Sequence, residues 1–474
     1  MSKHLIILGG GSAAVSAAME MNHRGGTSTL INEGLPLGGC CLHVGCVPSK
    51  YLIRAAEQVH LTRHSPFPGV QPKGADLDSA SLFSDVRSKI KELRQRNYED
   101  PLPLTEGLRL IRGWGKILDP TTVEVNGEKI SGDAILITTG SRTNPAESEA
   151  LPASRVLTNE NFFDQTQLPE SVLVIGGGYI AVELSQMMNR LGVKVTTLQR
   201  SAHILSSQPS YLGEGLGQRM KEEGVNLICG VTLKSLEAGG AGVIARAEVE
   251  SREQTFTAQK VLMSRGRLAN TDAIGLNNIG IEARKDGSLE VNERMQTACP
   301  TVYAAGDVLG GHMLVYTASA EAERAVADLW GDPPCPWQPA SIPWVVFSDP
   351  QIAGVGLSAE EARAQGVDVE EAELPVNRWP RFSTANREFG FLKMFRHPQT
   401  DTLIGARALC PEAGDLMSEL SLIMKYEIPL KEIAGALVPY LTLTEGIQRC
   451  AATFHSPDVR QNPSRSDCTV APPE

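Results

Sequence analysis

Residues 4–33 read HLIILGGGSAAVSAAMEMNHRGGTSTLINE, and residues 171–200 read SVLVIGGGYIAVELSQMMNRLGVKVTTLQR. The two passages share one pattern. Each opens on a short apolar run with the character of a buried strand, passes through Gly-x-Gly-x-x-Ala, enters a helix-like stretch and ends on a second apolar run. Gly9, Gly11 and Ala14 fill the three small positions in the first passage, and Gly176, Gly178 and Ala181 fill them in the second. The first glycine permits a tight turn, and the second lets the backbone approach a pyrophosphate. The third small residue lets helix and strand pack, while the helix N-terminus attracts phosphate charge. The first passage ends at Glu33, 22 residues after Gly11, where a carboxylate can accept hydrogen bonds from a ribose. The second ends at Gln199-Arg200 with no acid. A neutral side chain followed by Arg suits a 2′-phosphate, so the reading there is NADPH over NADH. Two such folds in one chain imply two nucleotide cofactors.

Composition agrees with a large ordinary globular protein. The chain has 474 residues, which at ~150 residues per domain suggests about three domains. Hydrophobic residues make up 42% and charged residues 21%, which excludes disordered and fibrous classes. A net charge of -11 argues against nucleic acid or an anionic membrane as partner. No apolar run reaches the ~18 residues that span a bilayer. Residues 5–19 are apolar, but their glycine punctuation fits a strand-turn-helix better than a secretion signal. Nine cysteines in so long a chain fit a reducing, cytoplasmic setting with one or two functional thiols.

Between the two passages lies CCLHVGCVPSK, residues 40–50. Cys41 and Cys46 follow a Gly-Gly pair and lead into a helix-like stretch. Cysteines at a helix start gain thiolate character. A structural metal site would need a further Cys or His pair at fixed spacing, and none is present.

These pieces together resemble the FAD-dependent pyridine nucleotide-disulfide oxidoreductases, which include glutathione reductase, dihydrolipoamide dehydrogenase and mercuric reductase. The resemblance is carried by GGGSAA at 9–14, GGCCLHVGCVPSK at 38–50, TTGS at 138–141, GGGYIAVE at 176–183, RGRLANT at 265–271 and YAAGDV at 303–308. It implies an α/β fold with two Rossmann-like dinucleotide-binding domains and an α+β C-terminal dimerisation domain. The implied units are 1–150 for FAD, 151–267 for NADPH, 268–338 as a central domain completing the FAD site, and 339–474 as the dimer interface. Glu33, Thr139, Gly140, Gly266 and Asp307 would join the glycine positions in holding the nucleotides, with Arg200 on the second. Lys50 would sit by the flavin and pair with Glu183. Electrons would pass from NADPH through the flavin to a Cys41–Cys46 disulfide, with Cys46 beside the flavin and Cys41 exchanging with substrate. A homodimer would complete each active site from both subunits.

The substrate turns on the C-terminal stretch PYLTLTEG, residues 439–446. Disulfide reductases of the family carry His-Pro there, with a Glu five residues after the His. The imidazole moves protons for thiol exchange. Here Tyr440 stands in the place of the His and Glu445 is kept. A phenol, of ordinary pKa about 10, is a poor shuttle at neutral pH. Mercuric reductases resemble this stretch, and also LVY at 314–316, PEAGDL at 411–416 and Tyr179. Tyr179 also matches a position that in disulfide reductases carries a tyrosine gating the nicotinamide pocket. The leading expectation is reduction of Hg(II) to Hg(0), with Cys41, Cys46 and Cys468 as ligands of the substrate ion. The alternative is reduction of a small disulfide or another small oxidant. Two departures stand out. Cys468 is single where mercuric reductases carry a vicinal tail pair, and Cys40 replaces the usual Thr. Cys40 is weighed as a third thiol near the flavin against a plain small-for-small replacement. Cys450 is expected on a helix at an interface. Trp330, Trp337 and Trp344, around the Pro-rich stretch 333–343, are read as linker.

Overall fold

The computed structural model describes residues 2–455 except 146, 147, 149, 241 and 334–340. The repeat seen in the sequence is a repeat of folds. His4–Leu8 is the middle strand of a five-stranded parallel sheet ordered Val302–Ala304, Ala134–Ile137, His4–Leu8, Thr27–Asn32, Leu108–Arg112. Ser171–Ile175 holds the same place in a second sheet, ordered Asn226–Ile228, Lys194–Leu198, Ser171–Ile175, Lys260–Met263, Val156–Leu157. Each fold also carries a three-stranded antiparallel meander just before its returning strand. Strands buried on both faces read as unbroken apolar runs, as parallel strands should.

The small residues do the same job twice. Gly9 has φ +125°, and a Cβ there would lie 2.2 Å from the Thr138 carbonyl oxygen. Gly176 has φ +122°, and its Cβ would lie 2.3 Å from that of Ser264. No other residue fits either turn. Ala14 and Ala181 lie on the helices Ser12–His23 and Tyr179–Arg190 and are fully buried.

The chain crosses between the folds on a two-stranded ribbon, Ser141–Thr143 against Arg267–Ala269. The chain from 270 to 329 then returns to the first fold. Val302–Ala304 becomes its edge strand, and helix Val315–Leu329 packs along Ser12–His23. The C-terminal unit is a five-stranded antiparallel sheet ordered Trp344–Val346, Gln351–Gly356, Thr402–Cys410, Phe391–His397, Glu370–Pro375. Helices Ala413–Lys425 and Glu445–Ala452 lie against it. Cys450 is on a helix as expected but not at an exposed interface. Its sulfur points to the Ala372 and Leu392 carbonyls in this unit's core, because the apolar side of Glu445–Ala452 faces the sheet.

Helix Tyr179–Arg190 is tied to the C-terminal unit by buried polar groups. The Gln186 amide donates to the Asp349 carbonyl at 2.7 Å and accepts from its N–H at 2.8 Å. Arg190, with 6% of its side chain exposed, pairs with Glu223 at 2.6 Å and Asp349 at 2.9 Å. Arg387 meets the other Asp349 oxygen. Removing one member of such a set leaves a buried charge uncompensated, at a cost of about 3–5 kcal/mol. Arg190→Met is therefore expected to lower the thermal unfolding midpoint of the flavin-loaded protein clearly. An unchanged midpoint would show that water compensates these carboxylates.

Candidate active site

The stretch that carries Cys41 and Cys46 folds as two helices joined by one residue. Gly39–Val44 is a short helix, and Cys46–Arg63 is an 18-residue helix. Gly45 makes the join. A Cβ there would lie 2.9 Å from the Cys40 oxygen and 3.2 Å from the Cys41 Cα, so only glycine lets the two helices approach this closely. Cys46 thus occupies the first position of a long helix, where free N–H groups favour negative charge. Pro48, in the first turn, gives up no helical hydrogen bond.

The structure brings Cys41 and Cys46 together as thiols, Cys41 half-buried and Cys46 exposed. Hydrogen bonding from the Cys41 thiol, helped by the Lys50 ammonium, holds Cys46 below the ordinary thiol range at about 7, against partial loss of water around the sulfur. Cys41 is pushed the other way, mainly by its hydrogen bond to Cys46 and also by burial. One proton is shared by a pair in which Cys46 carries the charge.

Lys50 lies one turn along the same helix and pairs with Glu183 at 2.6 Å. Glu183 is buried on the helix that opens the second fold, and its other oxygen accepts from the Phe347 N–H at 2.9 Å. The Lys50 ammonium also lies 4.7 Å from the centroid of the Phe347 ring. One ion pair therefore joins the redox helix, the second nucleotide fold and the C-terminal unit.

The residues expected to hold nucleotides form two parallel cradles at the carboxyl ends of the sheets. At Gly11 and Gly140 in the first, and at Gly178 and Gly266 in the second, a Cβ would meet open space. Each cradle also holds one buried hydroxyl without a partner, Thr139 Oγ1 in the first and Ser264 Oγ in the second. Open glycine edges and orphaned donors fit phosphate-bearing cofactors. Glu33 directly follows the second strand of the first fold and meets Arg112 at 3.4 Å. Arg200 holds the corresponding place in the second fold and is exposed. Asp307 opens a short helical turn and accepts from Ser141 Oγ at 2.7 Å. FAD and a nicotinamide nucleotide therefore fit the residues present.

Other expectations divide. Tyr440 is 69% exposed on the C-terminal unit, beside exposed Leu437 and Leu441. Glu445 is buried, accepts from the Leu441 N–H at 3.0 Å and pairs with Arg449 at 2.6 Å. Glu445 thus shapes the turn that presents Tyr440. The Cys40 sulfur lies 3.5 Å from an Arg267 guanidinium nitrogen and 3.8 Å from the Asn159 amide. Its thiol is raised by burial despite Arg267. Cys468 falls outside the described residues.

Four residues near the thiols and Tyr179 were given no site role by the sequence reading, although Arg267 and Tyr316 stand in the matched stretches RGRLANT and LVY: Arg267, Tyr316, Trp344 and Phe347. Arg267 also donates to Ser141 Oγ and the Ser141 carbonyl, each at 2.7 Å. Tyr316 hydrogen-bonds the Pro343 carbonyl, and burial raises its phenol to about 12, with the charges of Tyr179 and Cys46 adding to the effect. Trp344 is not linker. It opens the strand Trp344–Val346, and its ring stacks on that of Tyr179 with centroids 6.0 Å apart. The Pro-rich stretch before it misled the reading, because the strand begins directly after Pro343.

The state of Cys46 has a measurable consequence. In the reduced protein its thiolate absorbance is expected to appear as pH rises through about 7. Cys41→Ala should move that midpoint upward, and Lys50→Met should also raise it, because each removes a group that favours the anion. A midpoint near 9 in the unaltered protein would contradict this assignment.

The sequence profile described as pyridine nucleotide-disulphide oxidoreductase matches residues 3–322, and the profile of that family's dimerisation domain matches residues 342–451. A mercuric reductase of Staphylococcus aureus is 34% identical over 450 residues, covering 95% of this chain and 82% of the relative. A dihydrolipoyl dehydrogenase of Geobacillus stearothermophilus is 32% identical, covering 93% of each. Among solved structures, LpdA from Mycobacterium tuberculosis superposes with a TM-score of 0.87 at 25% identity, covering 96% of this chain and 100% of that one. The Escherichia coli flavoprotein disulfide reductase RclA shares the fold, with a TM-score of 0.83 at 23% identity over 95% and 99% of the two chains. Among the described residues no helix is long and apolar enough to cross a membrane. The chain belongs to the pyridine nucleotide-disulphide oxidoreductase family, as an FAD-containing, NAD(P)H-dependent oxidoreductase with that family's dimerisation domain.

Proposed function

We propose that the protein reduces Hg(II) to Hg(0) at the Cys41/Cys46 pair, at the expense of NADPH. The observation that carries the proposal is a dithiol whose Cys46 member is poised as an anion near neutral pH, with a tyrosine where thiol exchange calls for an imidazole. Relatives named mercuric reductase, at 33–34% identity over 95% of the chain, support it.

When bound, FAD accepts hydride from the nicotinamide and passes electron pairs onward. The protein's own groups do the rest. Reduction of a Cys41–Cys46 disulfide by one pair and one proton leaves the Cys41 thiol and the Cys46 thiolate. Cys41 then loses its proton, so that both sulfurs bind Hg(II), a soft cation that prefers two thiolates in line. Lys50 keeps positive charge beside Cys46, and Glu183 holds Lys50 in place. A second electron pair converts the bound ion to Hg(0), which has no charge to hold it to sulfur. Glu33 and Asp307 would hold the FAD ribose and ribityl regions. Arg200 would face the 2′-phosphate of NADPH. Tyr179 would guard the nicotinamide side. Tyr440, on the exposed apolar turn shaped by Glu445, would reach a second subunit's thiol pair across a homodimer interface.

A second reading, reduction of a small disulfide, is favoured by the dihydrolipoyl dehydrogenase relative that aligns along nearly its whole length. The two are separated by one assay. NADPH oxidation is followed with Hg(II) in excess small thiol, and in parallel with oxidised lipoamide and glutathione disulfide, while volatile mercury is trapped. Mercury-dependent turnover with Hg(0) release is expected. Fast turnover on a disulfide without Hg(0) would transfer the assignment to the second reading. For the nucleotide, Arg200→Ser is expected to raise KM for NADPH about tenfold or more while changing that for NADH little, since a charged hydrogen bond is worth about 1.5–3 kcal/mol. Equal effects on both nucleotides would remove Arg200 from the phosphate site.

A further inference from the structure

One row of cross-strand neighbours in the C-terminal sheet faces the second nucleotide fold. Trp344 pairs with Gly354, Gly354 with Arg407, and Arg407 with Lys393. Residues directly opposite in neighbouring strands share a face of the sheet. Gly354 has no side chain in this row, and the space is used. A Cβ there would lie 2.6 Å from the Trp344 indole and 2.9 Å from Arg407 Cδ. The indole and the guanidinium therefore meet above the glycine, with the Arg407 guanidinium carbon 5.7 Å from the indole centroid.

This wall is rigid. Arg407 is almost completely buried and donates to the Val355, Ala406 and Gly356 carbonyls at 2.9–3.0 Å and to Glu361 at 3.1 Å. Two tyrosines of the second nucleotide fold rest on the row. Tyr179 stacks on Trp344 with planes 16° apart, and the Lys393 ammonium lies 4.5 Å from the centroid of Tyr211. Tyr179 directly follows Gly178, the open glycine of the second cradle. The Tyr179 hydroxyl also receives a long hydrogen bond of 3.4 Å from Gln208.

We propose that Trp344, fixed by Arg407 across Gly354, is a positioning residue that holds the Tyr179 ring at the mouth of the nicotinamide nucleotide site. The inference rests on the reading of that site given above. Nucleotide entry then competes with the stack between Tyr179 and Trp344. The C-terminal unit thereby sets the apparent affinity of a site built by another domain. A bound state reached only after a ring leaves its resting place binds more weakly by the fraction of time the ring is away. Loss of an aromatic pair is then expected to tighten binding about three- to tenfold.

The test uses the flavin-loaded protein and stopped-flow reduction by NADPH over a range of concentrations. Trp344→Ala is expected to lower the apparent Kd for NADPH about three- to tenfold, with a smaller change in the limiting rate. Trp344→Phe, which keeps a stacking ring, should restore the original Kd. Tyr179→Ala should shift Kd in the same direction as Trp344→Ala, and the double variant should go no further than either single one. An unchanged Kd in Trp344→Ala, or effects that add in the double variant, overturns the proposal. If Tyr179→Ala is silent while Trp344→Ala shifts Kd, Trp344 acts without Tyr179 and the positioning role is wrong. If both are silent, the placing of Tyr179 at the nucleotide site has failed, and the proposal with it.

Discussion

The ion pair between Lys50 and Glu183 is the constraint on which the site depends. Its members come from the redox helix and from the first helix of the second nucleotide fold, 133 residues apart. Glu183 is buried, and a buried carboxylate persists only where it is paired and hydrogen-bonded. Both conditions are met, because Lys50 takes one oxygen and the Phe347 N–H takes the other. The third contributor belongs to the C-terminal unit. Any displacement of one domain relative to the others would therefore expose or orphan this carboxylate. That penalty keeps the Cys46 helix start at a fixed place between two nucleotide cradles.

The segment 343–349 is where this constraint is distributed. Pro343 receives Tyr316, Trp344 receives Tyr179, Phe347 receives Lys50 and Glu183, and Asp349 receives Gln186, Arg190 and Arg387. Four positions within seven consecutive residues thus touch both nucleotide-binding folds and the helix that starts at Cys46. A dimerisation domain could be attached by a flexible linker and still form dimers. Here its first strand instead packs against Tyr179 and leads directly into Phe347, the neighbour of Lys50 and Glu183.

The sequence made the two nucleotide folds legible because their chemistry is local. Tight turns, phosphate approach and close packing require small residues within six positions of one another, as at Gly9, Gly11 and Ala14. The same holds for Cys41 and Cys46, where the helix start and both sulfurs lie within one short stretch. The rest depends on pairs that no local pattern records. Arg267 reaches Cys40 across 227 residues, and Glu183 reaches Phe347 across 164. Trp344 was hidden by the prolines before it, which have the composition of a linker although the strand starts at once. Cys450 is expected at an interface from its place on a helix five residues after Glu445, but it lies in the core of its own unit. Its burial follows from which side of the helix is apolar, and that depends on the sheet beneath it.

Proton accounting connects the site to the kind of acceptor it suits. A disulfide acceptor takes up two electrons and two protons, so its reduction needs a group that exchanges protons readily at neutral pH. An imidazole meets that need. This chain presents Tyr440 on the turn that Glu445 shapes, and a phenol is a poor substitute. A soft divalent cation reduced to its neutral atom takes up two electrons and no proton. Its demand is for thiolates before the electrons arrive. The hydrogen bond from Cys41, the helix start and Lys50 all favour the anion at Cys46. On the proposed reading the groups around the sulfurs would serve metal capture, and Tyr440 stands where proton exchange would call for an imidazole. That combination gives the metal-ion reading its physical basis, apart from any likeness between sequences.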